Sequence, residues 1–541
     1  MDIMNRATLA IAIILSLLTS LFLIASWVPV KADPGIYTVR KDGTGDFDSI
    51  QQAINNATEG DTIVVYNGTY FENIIINKSL SIMGADREFT IIDGNSSGTV
   101  ILIQPISTPF IADITVSNFT IRNSGIGDYS GIYLRNTVRI NVSHNLIDNN
   151  YYGVRLRNSV DNIVSHNTIT NNEYGISFEV CIDNVVSSNV ITSNFWGIFL
   201  LYSDENMISR NIISSNTVEG INFIYCKSNT ILENDLINNN PGIYLFNSGN
   251  NTIYRNNFDN PNQIETNETK RNYWDNSREG NYWSDYAGLD IDKDGIGNVP
   301  YNIDGNNVDN HPLMGVFALF SIITEVKTYH VSTICYPPIS GFNFSIGRET
   351  GNRVIRFNVM GEGANGGLCR VMIPTDLMKE PYIMMVGMEE INATRLNNIS
   401  NETYVYYYLD DIFDTVYIIS SNVQHLYLDL RHKIFRLEED LVLLNMSFRG
   451  LQNNHSQLQL IYLELNSSYH DFLDHYSDIL SNLTRLQSSQ IDGERNTLNL
   501  TYSFAAMTAI FLIVIVYLSK NVHLNKKKSV DSKTGSSSIT P

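Results

Sequence analysis

Between Gly131 and Asn256, short runs of alternating apolar and polar residues recur at one fixed spacing. Gly131, Gly153, Gly175, Gly197, Gly220 and Gly242 are followed one place later by Ile132, Val154, Ile176, Ile198, Ile221 and Ile243. Two places further stand Leu134, Leu156, Phe178, Leu200, Phe223 and Leu245, and a third apolar column runs Val142, Val164, Val186, Ile208, Ile231 and Ile253. The step is 22 residues, except for 23 into Gly220, where Val218 or Glu219 is the insertion. Alternation with period two predicts strands, and a fixed repeat too short for a helix pair predicts coils of short strands stacked on one another. The fold class expected is mainly β, a parallel β-helix.

Stacking places equivalent residues about 4.8 Å apart, so identical side chains form ladders. Two asparagine columns fit this. Asn145, Asn167, Asn189, Asn211, Asn234 and Asn256 form one, and Asn162, Asn184, Asn206, Asn229 and Asn251 the other. Each amide can donate to one neighbouring coil and accept from the other. Cys181 and Cys226 lie two coils apart in a column of small residues, too far to bridge, and are expected to be free thiols.

These repeats resemble the right-handed β-helices of the pectin-lyase-like superfamily, especially its NosD-like carbohydrate-binding and sugar-hydrolysis branch. The likeness spans roughly residues 35–315 and implies a right-handed fold. It leaves activity open, because the fold carries lyases, hydrolases, adhesins and spacers. The pectinesterase Asp-Phe-Ile-Phe-Gly motif, the polygalacturonase Gly-His-Gly signature and the aspartate set of pectate lyases are all missing. Residues 35–100 resemble the N-terminal cap of NosD-like proteins, with a one-sided helix at Ile50, Ala53 and Ile54 covering the open end.

Outward columns supply the candidate chemistry. Arg135, Arg155 and Arg157 gather beside Glu179, with Tyr133 and Phe199 as aromatic neighbours. Bidentate arginines and aromatic rings suit an acidic sugar chain; the alternative is a solvated face with an Arg157–Glu179 surface pair. Glu179 is the only catalytic candidate there, whereas glycoside hydrolysis needs two carboxyl groups. His144 and His166, one coil apart, offer two ligands to a transition metal, copper by the resemblance, and their column supplies no third. Arg210, Glu233 and Arg255 continue that column as a charge ladder.

After the aromatic repeats Asn272–Trp274 and Asn281–Trp283 comes a run with Asp290, Asp292, Asp294, Gly295 and Asn298. Alternating aspartates before a glycine wrap a hard cation in oxygens, so structural calcium is expected, against a metal-free turn. The glutamate of a complete EF-hand is replaced by Tyr301, and Asp304 or Asp309 could supply the missing carboxylate. The block is similar to the C-terminal motif of NosD-like archaeal proteins.

The remaining domains follow from changes of period. Residues 1–32 read as a secretory signal, 33–315 as the β-helix with its Asp-rich cap, and 316–422 as a small β-rich domain. Cys335 and Cys369 in that domain would be able to pair outside the cell. From Leu430 to Leu486 apolar residues keep a step of seven, predicting a coiled-coil stalk over 423–495, about 85 Å long for the heptad run, and a homo-oligomer. Residues 502–519 are apolar enough to span a bilayer, and the basic tail 520–541 places that end in the cytoplasm. Acceptors such as Asn67, Asn118, Asn267, Asn401 and Asn482 fit a glycoprotein outside the cell. The 541 residues carry a net charge of −20, which argues against nucleic acid as a partner. The expected protein is a single-pass cell-membrane protein with its N-terminal bulk extracellular, binding a glycan or a surface-layer protein. The alternatives are a polysaccharide lyase or hydrolase acting on acidic glycans, and NosD-like copper delivery.

Overall fold

The computed structural model describes residues 34–268, 270–348, 351–359, 367–412, 414–420, 455–489 and 507–508. Three parallel sheets build the repeat region, of ten, nine and ten strands. We call them sheet I (from Ile36–Val39 to Thr252–Tyr254), sheet II (from Ile74–Ile76 to Ile264–Asn267) and sheet III (from Gly68–Phe71 to Tyr282–Trp283). The fold is the parallel β-helix that the repeat predicts, with the right hand that the family resemblance implies. Register follows the columns: Ile132 pairs with Val154, then Ile176, Ile198, Ile221 and Ile243. The extra residue lies between Asn216 and Gly220, since Asn194 pairs with Asn216 at 22 and Ile198 with Ile221 at 23.

Each bend between sheets has the same local cause. A residue in left-handed conformation, such as His144 (φ 60°), His166 (58°) or Arg210 (57°), turns the chain and is followed by an asparagine pointing inward. Asn167 then gives its backbone N–H and its Nδ2 to Asn189 Oδ1, at 2.9 and 3.0 Å, and its Nδ2 also reaches Val142 O at 2.9 Å. The bend thus satisfies its own buried amides within the stack. The same pattern runs through the Asn162 column and through a third, Asn150, Asn172, Asn194, Asn216, Asn239 and Asn260. The glycines are required by close approach: a Cβ on Gly175 would sit 2.5 Å from Gly197 O.

The ends of the stack are closed differently. At the start, helix α1 (Ile50–Asn56) buries Ile50, Ala53 and Ile54, and Glu72 accepts from the N–H groups of Ile50 and Gln51 at 3.0 Å each. At the far end Trp274 and Trp283 are buried, with Trp283 stacked between Phe258 and Tyr301 at 4.4 and 4.3 Å. Two asparagine columns stop there: Asn272 donates to Asn307, and Asn281 donates to Asp309. Asp309, one of the two residues named as a possible further calcium ligand, here ends a ladder. The carboxylate accepts from Asn281 N at 2.8 Å, Trp283 Nε1 at 3.0 Å and His311 N at 3.0 Å.

The small β-rich domain comprises two antiparallel five-stranded sheets, from Val316–Ile323 to Thr415–Ser420, around a core of its own. Cys335 and Cys369 face each other on adjacent strands and form a disulfide. The domain is fastened to the β-helix through charge. Buried Arg370 pairs with buried Glu279, which also holds Arg255. Arg255 reaches Glu233 at 3.5 Å, and Glu233 pairs with Arg210 at 2.8 Å, so the expected charge ladder extends into the junction. Asn257 bonds both the N–H and the carbonyl of Phe317.

The second compact unit contains helix α2 (His455–Ser489), 35 residues that include Leu458, Leu465, Phe472, Ile479 and Leu486 of the seven-residue series. Leu465 and Phe472 are exposed on it. The earlier heptads, the signal 1–32 and the basic tail 520–541 lie outside the described residues, as does the span 502–519 apart from residues 507–508. Among the described residues no helix is long and apolar enough to cross a membrane.

Candidate functional site: the outward face of sheet II

The strand Tyr152–Arg157 shows how this face is made. Gly153 and Val154 are both buried, so the alternation slips at the glycine and the residue before it turns outward. Three columns therefore face out: one place before the glycine, two after and four after. The last two carry the residues expected from the sequence, in the expected register: Tyr133 beside Arg155, Ser177 and Phe199, and Arg135 beside Arg157 and Glu179.

The arginines and Glu179 do meet. Arg155 contacts Glu179 Oε2 and Asp128, each at 3.4 Å, while Arg157 holds Glu179 Oε1 at 3.3 Å. The Arg155 guanidinium also lies 4.6 Å from the Tyr152 ring centroid and 5.1 Å from that of Tyr133. Its charge is thus held between two rings and two carboxylates. Arg135 forms no ion pair among the described residues and is exposed. Phe199 meets Tyr174 edge to face at 5.6 Å.

The column before the glycine was not anticipated, although Tyr152, Tyr174 and Trp196 stand there plainly in the sequence. Their rings stack at 4.7 and 4.4 Å. Strict alternation assigns that position to the interior; the glycine slip reverses it. Burial pushes the Tyr174 hydroxyl up to about 12. Below Trp196 the column continues with Glu219, whose carboxyl burial holds above its ordinary range against the opposing pull of the Trp196 and Asn222 side chains.

The metal candidates are placed as follows. Asp290, Asp292 and Asp294 can bring one carboxylate oxygen each within 4.8 Å of one another. Burial raises the pKa values of Asp290 and Asp294, and Asp292 adds to both by like charge. Asn298 instead uses its amide within the loop, donating to Asp292 at 3.0 Å and accepting from Ile291 N. His144 and His166 are exposed and stacked, centroids 5.0 Å apart and nearly parallel. Parallel rings at that spacing keep like nitrogens too far apart to share one ion at about 2.0 Å each, so one ring would have to turn. Cys181 and Cys226 are buried and free, and burial lifts both thiols to about 12. They serve as rungs of the small-residue column: Cys181 N bonds Ser203 Oγ at 3.0 Å, and Cys226 N bonds Ser248 Oγ at 2.9 Å.

Residues 54–288 match the family model described as periplasmic copper-binding protein (NosD). No curated protein matches the chain. Among solved structures it is similar to the alginate lyase from Paenibacillus sp. str. FPU-7, with 11% identity, 44% of this chain and 97% of that one covered, and a TM-score of 0.28. Pectate lyase Pel9A gives 15% identity, 49% and 86% coverage and a TM-score of 0.29. The enzymatically active domain of bacteriophage CBA120 tailspike protein 2 gives 12%, 68% and 76%, and 0.33. At such identities and scores, activity has to be argued from this chain's own residues.

Proposed function

We propose, from a β-helical domain that is NosD-like over residues 54–288, that this protein binds a glycan along the outward face of sheet II. The observation that carries the reading is the unbroken outward row of aromatic and hydrogen-bonding side chains, from Tyr133 and Tyr152 through Tyr174 and Trp196 to Phe199. Such a row offers apolar edges to sugar C–H groups and fixed polar groups to hydroxyls, running parallel to the stacking axis. Glycan-array binding by the full-length protein tests it. Binding that falls about tenfold or more on Phe199→Ala supports the reading, and binding indifferent to that change refutes it.

The wider organisation belongs to the same proposal. A span at 502–519 would anchor the chain in the cell membrane, single-pass, and α2 would pair with copies of itself through its exposed Leu465 and Phe472. The face would then stand outside the cell, toward glycan or surface-layer partners. The loop Asp290, Asp292 and Asp294 would hold calcium, stiffening the far end of the helix.

Two alternatives have less support. In a lyase or hydrolase Glu179 would need a proton to give or take, yet each of its oxygens faces an arginine. Hydrolysis of acidic polysaccharide that disappears in Glu179→Ala would restore that reading. Copper delivery, suggested by the family description, would rest on His144 and His166, whose stacked geometry does not converge on one ion.

A further inference from the structure

One bend of the β-helix breaks its own residue rule. The residue that closes each sheet II strand takes the left-handed conformation in every repeat, with φ between 47° and 56° from Asn136 to Asn247. Asparagine fills that position at Asn136, Asn158 and Asn247, as expected of a residue tolerated there. The three rungs between them hold Val180, Tyr202 and Tyr225 instead. A β-branched or aromatic residue is strained in this conformation, and these three are 50%, 55% and 41% exposed, so burial does not account for them. The Tyr202 and Tyr225 rings stack at 5.0 Å, and Phe246 meets Tyr225 edge-on at 5.3 Å.

The same rungs carry a second anomaly. Asn222 lies in the outward column between Phe199 and Tyr244, and its Oδ1, like Glu219 Oε2, is buried without a hydrogen-bond donor. Unmet acceptors call for a ligand with N–H or O–H groups. Charge narrows the ligand further. From Ser177 to Glu265 the outward columns of sheet II contain Glu179, Glu219 and Glu265 and no lysine or arginine. The arginines of the preceding rung already face Glu179. A uronate-rich chain would be repelled here; a hydroxyl-rich neutral one would not.

We infer that the rungs from Val180 to Phe246 form a subsite for a neutral glycan, with Tyr202 and Tyr225 as its apolar contact and Asn222 and Glu219 as acceptors for its hydroxyls. The inference deepens the glycan-binding reading and rests on it. The left-handed tyrosines persist because they serve the ligand, at the expense of local stability.

The test uses the full-length protein with Tyr202→Asn/Tyr225→Asn, which installs the residue found in neighbouring repeats, and with Asn222→Ala. Thermal unfolding and binding to neutral oligosaccharides and to oligouronates are measured side by side. The double variant is expected to unfold at the same temperature or roughly 1–3 °C higher, with affinity for neutral oligosaccharides reduced at least tenfold. Asn222→Ala should weaken binding by about the same factor. A double variant that unfolds earlier makes the tyrosines structural and overturns the inference, as does undiminished binding. Preferential binding of oligouronates, lost on Arg135→Ala, overturns the inference while leaving glycan binding intact. Absence of binding to either class overturns both.

Discussion

Asn281 gives its backbone N–H to Asp309 at 2.8 Å, so a seven-rung asparagine ladder ends on a carboxylate that needs no rung beyond it. An asparagine there would have to donate to a coil that does not exist. Asp309 only accepts, and Trp283 and His311 complete its shell. Burial pushes its pKa up from 3.8 to about 6. Ionisation is therefore harder in the folded state, and the stability tied to the neutral form is complete below pH 4 and lost as pH rises toward 6. Two pH units correspond to about 3 kcal/mol at most. Subtracting Asp309→Asn from wild type in denaturant titrations at pH 4 and pH 7 isolates this slope from that of Glu279, whose carboxyl is shifted downward. A difference independent of pH would contradict it.

The ladder itself should be sensitive at its centre. Asn189 accepts from both the N–H and the Nδ2 of Asn167 and donates to Val164 O at 2.8 Å, all buried. Asn189→Ala strands those groups without water and should cost about 2–3 kcal/mol by chemical denaturation.

Gly175→Ala probes the close approach of coils. Its Cβ would meet a backbone oxygen at 2.5 Å, which no rotamer change relieves. A loss of about 2 kcal/mol or more is expected, against a few tenths for the exposed Gly305→Ala, whose Cβ meets nothing within 4 Å.

Arg370→Met separates the two domains energetically. It leaves Glu279 buried with only Arg255, and loss of one partner from a buried pair costs about 3 kcal/mol. Limited proteolysis of the 316–420 region should accelerate relative to wild type.

Calcium, if held by Asp290, Asp292 and Asp294, stabilises by mass action. The unfolding temperature should rise with calcium and not with magnesium, and Asp294→Asn should remove the response. An unchanged midpoint in calcium would leave the loop a metal-free turn.

How much of this was legible in the sequence depends on whether a feature repeats. The 22-residue register, two asparagine columns, the free Cys181 and Cys226 and the meeting of Arg155, Arg157 and Glu179 all follow from period alone. The third column, Asn150 to Asn260, was present but masked by adjacent polar residues such as Asn149 and Asn171. Tyr152, Tyr174 and Trp196 were missed because Gly153 and its equivalents break the alternation that points to outward positions. Contacts without a period were invisible: Arg370 meets Glu279 across 91 residues, and Asp309 meets Asn281 only because the stack stops there.

The most direct measurement is a crystal structure of the protein soaked with a neutral oligosaccharide selected on the array. The account predicts sugar density on the outward face of sheet II, over Phe199, Tyr202 and Tyr225, with hydroxyls on Asn222. Density confined to the His144–His166 edge or to sheet I would contradict it.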